Sequence, residues 1–286
     1  MNKLVVSEFF RLLKSNIFKI CLLVSAGLGI FIVMMRWYDI KMNPDSYAKL
    51  SQEYSNADGL LFAGGLYMIF VVAVFVSIFV GTEYSNGTMR NKIIVGHVRW
   101  NIYFSKFIVC VVADVIIHIM CVVAVLIFGW LFIGGTTLSP AKIILMMSVS
   151  ASSILALTAL LLLLSMSIQS RAYGGVLCLL TTLVMMFASM SVYQRLSAPE
   201  YYDEYMYADE NTGEVTMMEK VKNPQYLTGG KRRAYEFLND FIPVSQLYQI
   251  MEHKTDRLNV IVFYDLILVI ATTGTGMVIF KRKNLK

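Results

Sequence analysis

Charge is scarce in this sequence, and so are most residue types that carry catalysis or hold metals. Asp, Glu, Lys and Arg make up 15% of the 286 residues, against 57% hydrophobic. With a mean hydropathy of +0.62, too little polar surface is left to cover a soluble domain. The three histidines, His97, His118 and His253, are scattered, and HExxH and GxSxG are absent, which excludes a metal cluster and the common protease signatures. Gly229-Gly230-Lys231 lacks the upstream glycine of a Walker A motif and runs into Arg232 where Ser or Thr would stand. The chain is therefore expected to hold no catalytic, cofactor-binding or metal site of its own.

The four cysteines, Cys21, Cys110, Cys121 and Cys178, all fall in apolar runs without a CxxC pair, so they read as small apolar residues and not as a disulfide framework. The five prolines, Pro44, Pro140, Pro199, Pro224 and Pro243, avoid those runs, where a missing backbone donor would cost most. A net charge of +6 does not make a nucleic-acid surface, because the basic residues sit at the ends of apolar runs and not in one patch. Anionic membrane lipid is the simpler partner.

What the sequence has is apolar length. Six runs reach the roughly 20 residues a bilayer core needs: Ile17–Met35, Gly59–Val80, Ile108–Ile133, Ile143–Met166, Gly174–Val192 and Asn259–Phe280. The basic start resembles a signal peptide, but without an A-x-A-like site and with more spans behind it the first run is expected to be a retained helix. Ahead of it, Leu4, Val5, Phe9, Leu12 and Leu13 fall on one side and Lys3, Glu8, Arg11 and Lys14 largely on the other, the pattern of an amphipathic helix in the membrane interface or of a simple start to the first span.

Charge orients the spans. With both termini inside, the inner segments hold thirteen basic residues, from Lys3 to Lys286, against two acids, Glu8 and Glu83. Such a bias marks the cytoplasmic side, and Lys281, Arg282, Lys283 and Lys286 anchor the tail there. The first outer loop, Arg36 to Asp58, mixes Lys41 and Lys49 with Asp39, Asp45 and Glu53. The chain thus divides into 1–192 (interfacial helix and five spans), 193–258 (an extracellular lobe) and 259–286 (sixth span and basic tail). In the lobe, Asp203, Glu204, Asp209 and Glu210 lie among tyrosines around an Asn211-Thr212-Gly213 turn, which suggests a hairpin. Gly229 to Met251 follows, with Tyr235, Leu238, Phe241 and Ile242 at helical spacing, an amphipathic helix ended by Pro243.

Between spans two and three, Gly81 to Phe107 carries Arg90, Lys92, Arg99 and Lys106 against Glu83 alone. Asn86-Gly87 reads as a turn, Thr88 as a cap, and Met89, Ile93 and Ile94 as the apolar side of a short helix whose Arg90 and Lys92 stay wet; Gly96 ends it and Asn101 caps the next span. Within the spans, Asp114 and His118 share a helix face in the third and Asp265 lies in the sixth. Intramembrane ionisable groups are default functional candidates. A proton or cation relay and a satisfied contact to a serine or threonine of a neighbouring helix are both open to them. Ser148, Ser150, Ser152, Ser153 and Thr158, and Thr272 to Gly276, either pack helices closely or line a polar path.

The order Glu83, Gly87-Thr88, an apolar and basic helix, then Arg99 just ahead of a span resembles the connector of type 2 ABC exporter permeases, although His97 stands where that family often has proline. The resemblance extends over the amphipathic start, the six spans, the outer helices and the basic tail. It implies an all-α integral membrane protein with a cytoplasmic coupling helix near 84–100, and a multi-pass place in a bacterial plasma membrane. It also implies two separate ABC ATPase subunits, which would bind ATP and Mg, and a second permease copy or paralogue. The cargo implied is an amphiphilic peptide, antimicrobial or lipid-like molecule. Glu83, Gly87, Thr88, Arg90, Lys92 and Arg99 are then the expected coupling residues. An ion-coupled transporter or channel using Asp114 and His118, or a membrane sensor with a ligand-binding lobe, are the alternatives.

Overall fold

A computed structural model describes residues 1–44, 57–202, 205–208, 215–218, 220–254 and 256–283. Asp45, Lys49, Glu53, Asp203, Glu204, Asp209, Glu210, the Asn211-Thr212-Gly213 turn and Lys286 lie outside the described residues.

Among the described residues, six helices are long and apolar enough to cross a membrane. In chain order the helices are α1 (Asn2–Lys14), α2 (Asn16–Met42), α3 (Gly64–Ser85), α4 (Thr88–Ile94), α5 (Arg99–Phe132), α6 (Pro140–Ser167), α7 (Arg171–Ser197), α8 (Gly229–Phe241), α9 (Pro243–Met251) and α10 (Leu258–Arg282). The spans are α2, α3, α5, α6, α7 and α10. A 3-10 turn, Asp58–Leu60, leads into α3. Between α7 and α8, β1 (Tyr205–Ala208) and β2 (Val215–Met218) pair antiparallel, Tyr205 opposite Met218 and Ala208 opposite Val215.

α3, α5 and α6 form the centre of the bundle: over half of each apolar window is buried, against 28%, 22% and 28% for α2, α7 and α10. The peripheral spans turn most of their apolar surface outward, as lipid contact requires. α6 packs most extensively on α10, α2 on α5, and α3 on α7. Lipid tails are as apolar as leucine, so close packing and hydrogen bonds hold such a bundle together. At Gly29 of α2 an added Cβ would lie 2.7 Å from the Cys121 carbonyl oxygen and 2.9 Å from Ala124 Cβ. Ser25, one turn earlier, donates to the Ile117 carbonyl at 2.5 Å. Gly276 of α10 lies directly against the Tyr103 phenol of α5.

Two expectations from the sequence change here. Pro243 ends α8 but also opens α9 as its first residue, where its missing N–H is no loss. α9 is not an interfacial helix: Val244, Ser245, Gln246, Leu247 and Ile250 are buried against α6 and α7. And α5 begins at Arg99, behind Val98 and not behind a capping Asn101, so Lys106 belongs to the span helix and not to the connector.

Candidate functional site

α4 stands between two left-handed glycines. Gly87, at φ +68°, precedes its first turn and breaks it away from α3, whose last N–H bonds at Asn86 and Gly87 go to Thr82 and Tyr84. At the other end Gly96, at φ +94°, donates to the Ile93 carbonyl while His97 donates to that of Lys92. That is the paired closing of a Schellman motif, which favours glycine at this position. The Asn86-Gly87 turn and the stop at Gly96 are as the sequence predicts. Thr88 is not the cap: its hydroxyl donates back to the Glu83 carbonyl at 3.2 Å.

Beneath α4 lies a cluster of five charges drawn from four helices: Glu8 and Arg11 of α1, Glu83 of α3, Lys92 of α4 and Lys106 of α5. Lys106 is 0% exposed and pairs with both Glu8 and Glu83. Lys92 also pairs with both, at 2.7 Å to Glu83. Arg11 reaches Glu83 at 2.9 Å and Glu8 at 3.2 Å and lies over the Phe79 ring at 3.7 Å. A buried ion stays charged only where opposite charge offsets its lost hydration. Burial pushes the Glu8 carboxyl up, but Lys106, Arg11 and Lys92 outweigh it and bring its pKa down to about 2. Lys92 is likewise pushed down by burial and carried above its ordinary value by Glu83 and Glu8.

The cluster corrects the helical-wheel reading of α1 and α4. Glu8 faces the bundle with Leu4 and Leu12, one turn on each side of it, while Val6, Phe10 and Leu13 are exposed. Lys92 does not stay wet. The signal missed in the sequence was Lys106, whose partner Glu8 stands 98 residues away.

Of the six residues expected to form the coupling surface, the structure joins Glu83 and Lys92 in the buried cluster, sets Gly87 and Thr88 at the α3–α4 turn, and leaves Arg90 exposed. Arg99 faces elsewhere. Its guanidinium donates to the carbonyls of Phe280 and Lys281, each at 3.1 Å, and to that of Lys283, so it closes the end of α10, where a cation is favourable. Lys283 in turn donates to the Met166 carbonyl at the end of α6 at 2.8 Å and stands 4.5 Å over the Tyr84 ring. Burial lowers its amine to about 8. The start of α5, α4 and the ends of α3, α6 and α10 thus share one face of the bundle. On that face Ile94 and Val95 are 70% and 76% exposed.

The three intramembrane groups do not meet one another, and each bonds to the serine- and threonine-bearing α6. Asp114 accepts from Thr158 at 2.8 Å, His118 bonds Ser150 at 2.9 Å, and Asp265 accepts from Ser152 at 2.5 Å. Asp114 Oδ1, His118 Nδ1 and Asp265 Oδ1 are buried without a hydrogen-bond partner among the described residues. At the opposite face, Asp58 takes the Thr137 N–H at 3.0 Å and Ala57 donates to the Gly135 carbonyl at 2.8 Å, joining the approach to α3 to the α5–α6 turn.

Among the described residues, fold and site together define an integral membrane protein with six candidate spans, in which the short helix α4 is locked to the amino-terminal helix by buried charge. Residues 4–189 match the ABC-2 family transporter protein, and the chain belongs to that family. The match takes in every member of the ion cluster and the whole of α4. Membership makes the chain a multi-pass protein of a cell membrane and the membrane component of an ABC transporter. No curated protein matches it.

Proposed function

We propose that this chain is the permease subunit of an ATP-driven exporter, with both termini and α4 in the cytoplasm. In this reading α4 is a coupling helix that docks on an ATPase subunit. The observation that carries it is the way α4 is held: reversed out of α3 at one glycine, closed at another, and pinned from below by Lys92, with Arg90, Ile94 and Val95 turned outward. A surface with apolar residues at its centre and a cation beside them suits a protein partner. Since Lys92 joins α1, α3 and α5 through shared carboxylates, force on α4 would move the start of the third span and the end of the second together.

Two ATPase subunits would bind ATP and Mg, and a second permease copy or paralogue would cover the outward-facing spans. Closure of the ATPases would switch the spans between inward and outward access. The apolar spans and the hydroxyl-lined α6 favour an amphiphilic cargo such as a peptide, an antimicrobial or a lipid-like molecule. The 193–258 segment would stand outside the cell, where α9 seals the outer end of the bundle. In membranes carrying the chain with its ATPase, Arg90→Glu combined with Ile94→Glu is expected to abolish ATP-driven export while leaving the chain inserted and folded. Unchanged export by this variant would remove α4 from the drive.

A further inference from the structure

A cleft of about 290 Å³ opens beside the ion cluster, between α1 and the α3–α4 turn. It has room for a small polar headgroup. Arg11 and Lys14 bring two cations to it, Ser15 and Asn86 bring neutral donors, and Phe79 and Ile17 supply an apolar wall. Glu83 also lines the cleft: its Oε1 serves Arg11, Lys92 and Lys106, and its Oε2 is buried without a hydrogen-bond partner among the described residues, so the anion is held from the Lys14 side of the cleft and not at this carboxylate.

Charge in this corner does not balance. The cluster sets three cations, Arg11, Lys92 and Lys106, against two carboxylates, and Lys14 adds a fourth cation at the cleft. Arg11 Nε and Nη2 are buried without a hydrogen-bond acceptor among the described residues, although Nη2 lies 3.2 Å from the Glu8 carboxylate in an ion pair. Excess positive charge among partly buried groups calls for an anion. Position says which kind. Val6, Phe10 and Leu13 run along the exposed side of α1 at helical spacing, 67%, 60% and 65% exposed, so that side of the helix belongs in the acyl boundary. Lys14 holds its ammonium 4.4 Å over the Phe10 ring, which puts a cation at headgroup level directly above an acyl-facing aromatic.

We infer that this cleft binds the phosphate of an anionic phospholipid, with Lys14 and the cluster's surplus charge as its counter-ions and the acyl chains lying along Val6, Phe10 and Leu13. The ligand bridges α1 and the α3–α4 turn, so the lipid composition of that leaflet sets how firmly the connector is held. This holds whichever cargo the protein moves and whatever docks on α4.

The full chain, purified in mild detergent after exposure to equal phosphatidylglycerol and phosphatidylcholine, is assayed for retained lipid by native mass spectrometry. Wild type is expected to retain phosphatidylglycerol in excess. Lys14→Gln lowers that excess about fivefold, the ~1 kcal/mol of a direct, solvent-accessible ion pair, and Lys14→Arg restores it. Lys3→Gln, the same charge change on α1 outside the cleft, leaves the excess within about twofold, since Lys3 makes no contact with the bound phosphate and the detergent offers no anionic surface to supply a general field. Equal retention of the two lipids by wild type, or an unchanged excess in Lys14→Gln, overturns the inference. An equal loss in Lys3→Gln does so too, by reducing the site to surface attraction. Displacement of the bound lipid by millimolar glycerol phosphate would make the ligand a free phosphate and overturn its assignment to a lipid.

Discussion

Lys106 of the third span, fully buried, holds the carboxylate of Glu8, a residue of the amino-terminal helix 98 positions earlier. The contact places α1 within the same mechanical unit as the connector, because Lys92 of α4 shares both of Lys106's carboxylate partners. Removing the central cation leaves those carboxylates to Arg11 and Lys92 alone. Lys106→Met is expected to cost about 2–3 kcal/mol, the loss of charged hydrogen bonds, and less than the cost of an unpaired buried charge because two cations remain beside the two carboxylates. Adding Glu8→Gln should recover part of it, and thermal unfolding of the two single variants and the double variant in detergent measures the coupling.

Acid should undo the same cluster. The Glu8 carboxyl lies at about 2 in the folded chain against an ordinary 4.5. An acid whose pKa falls on folding contributes stability that is complete above its unfolded value and disappears as pH drops through its folded one. The difference in unfolding midpoint between wild type and Glu8→Gln is therefore expected to be largest above pH 4.5 and to close as pH falls toward 2. A difference independent of pH would show that Glu8 carries no charge in the fold.

Most of the bundle can be read in the sequence, because a span announces itself by apolar length: four of the six runs from Ile17 to Phe280 lie wholly within a helix, and the other two overrun theirs only at residues 59–63 ahead of α3 and at Ile133 after α5. The turn at Gly87 and the stop at Gly96 are also legible, since each depends on local backbone chemistry. What does not show is pairing over distance. Glu8, Lys92 and Arg99 look like solvated charges until Lys106, Glu83 and the carbonyls at the end of α10 are brought beside them. α9 is hidden for another reason: its buried glutamines, Gln246 and Gln249, are answered by Asp240 and Asn239 of α8 and so read as polar surface.

The glycine that closes α4 gives a sharper test of local structure. Gly96 has φ +94° with open space around its Cβ position, so Gly96→Ala adds backbone strain and no collision. A loss of about 1 kcal/mol is expected. It should appear as faster amide exchange confined to α4 and the start of α5.

Asp114 separates packing from proton movement. Its bond to Thr158 joins α5 to α6, and Thr158→Val is expected to cost about 0.6 kcal/mol, a usual value for an interhelical hydrogen bond in a membrane. Asp114→Asn keeps an acceptor at that position and should keep ATP-dependent transport. Its loss, with the fold intact, would make the carboxyl a working proton carrier.

The central claim is that the chain is a gate worked from the cytoplasm by an ATPase it does not contain. Transport by the chain in liposomes, with and without an ATP-hydrolysing subunit from the same cells, tests this most directly. An amphiphilic fluorescent peptide would serve as cargo. Movement is expected only when that subunit and ATP are both present on the α4 side. Movement driven by an ion gradient across liposomes holding this chain alone would contradict it.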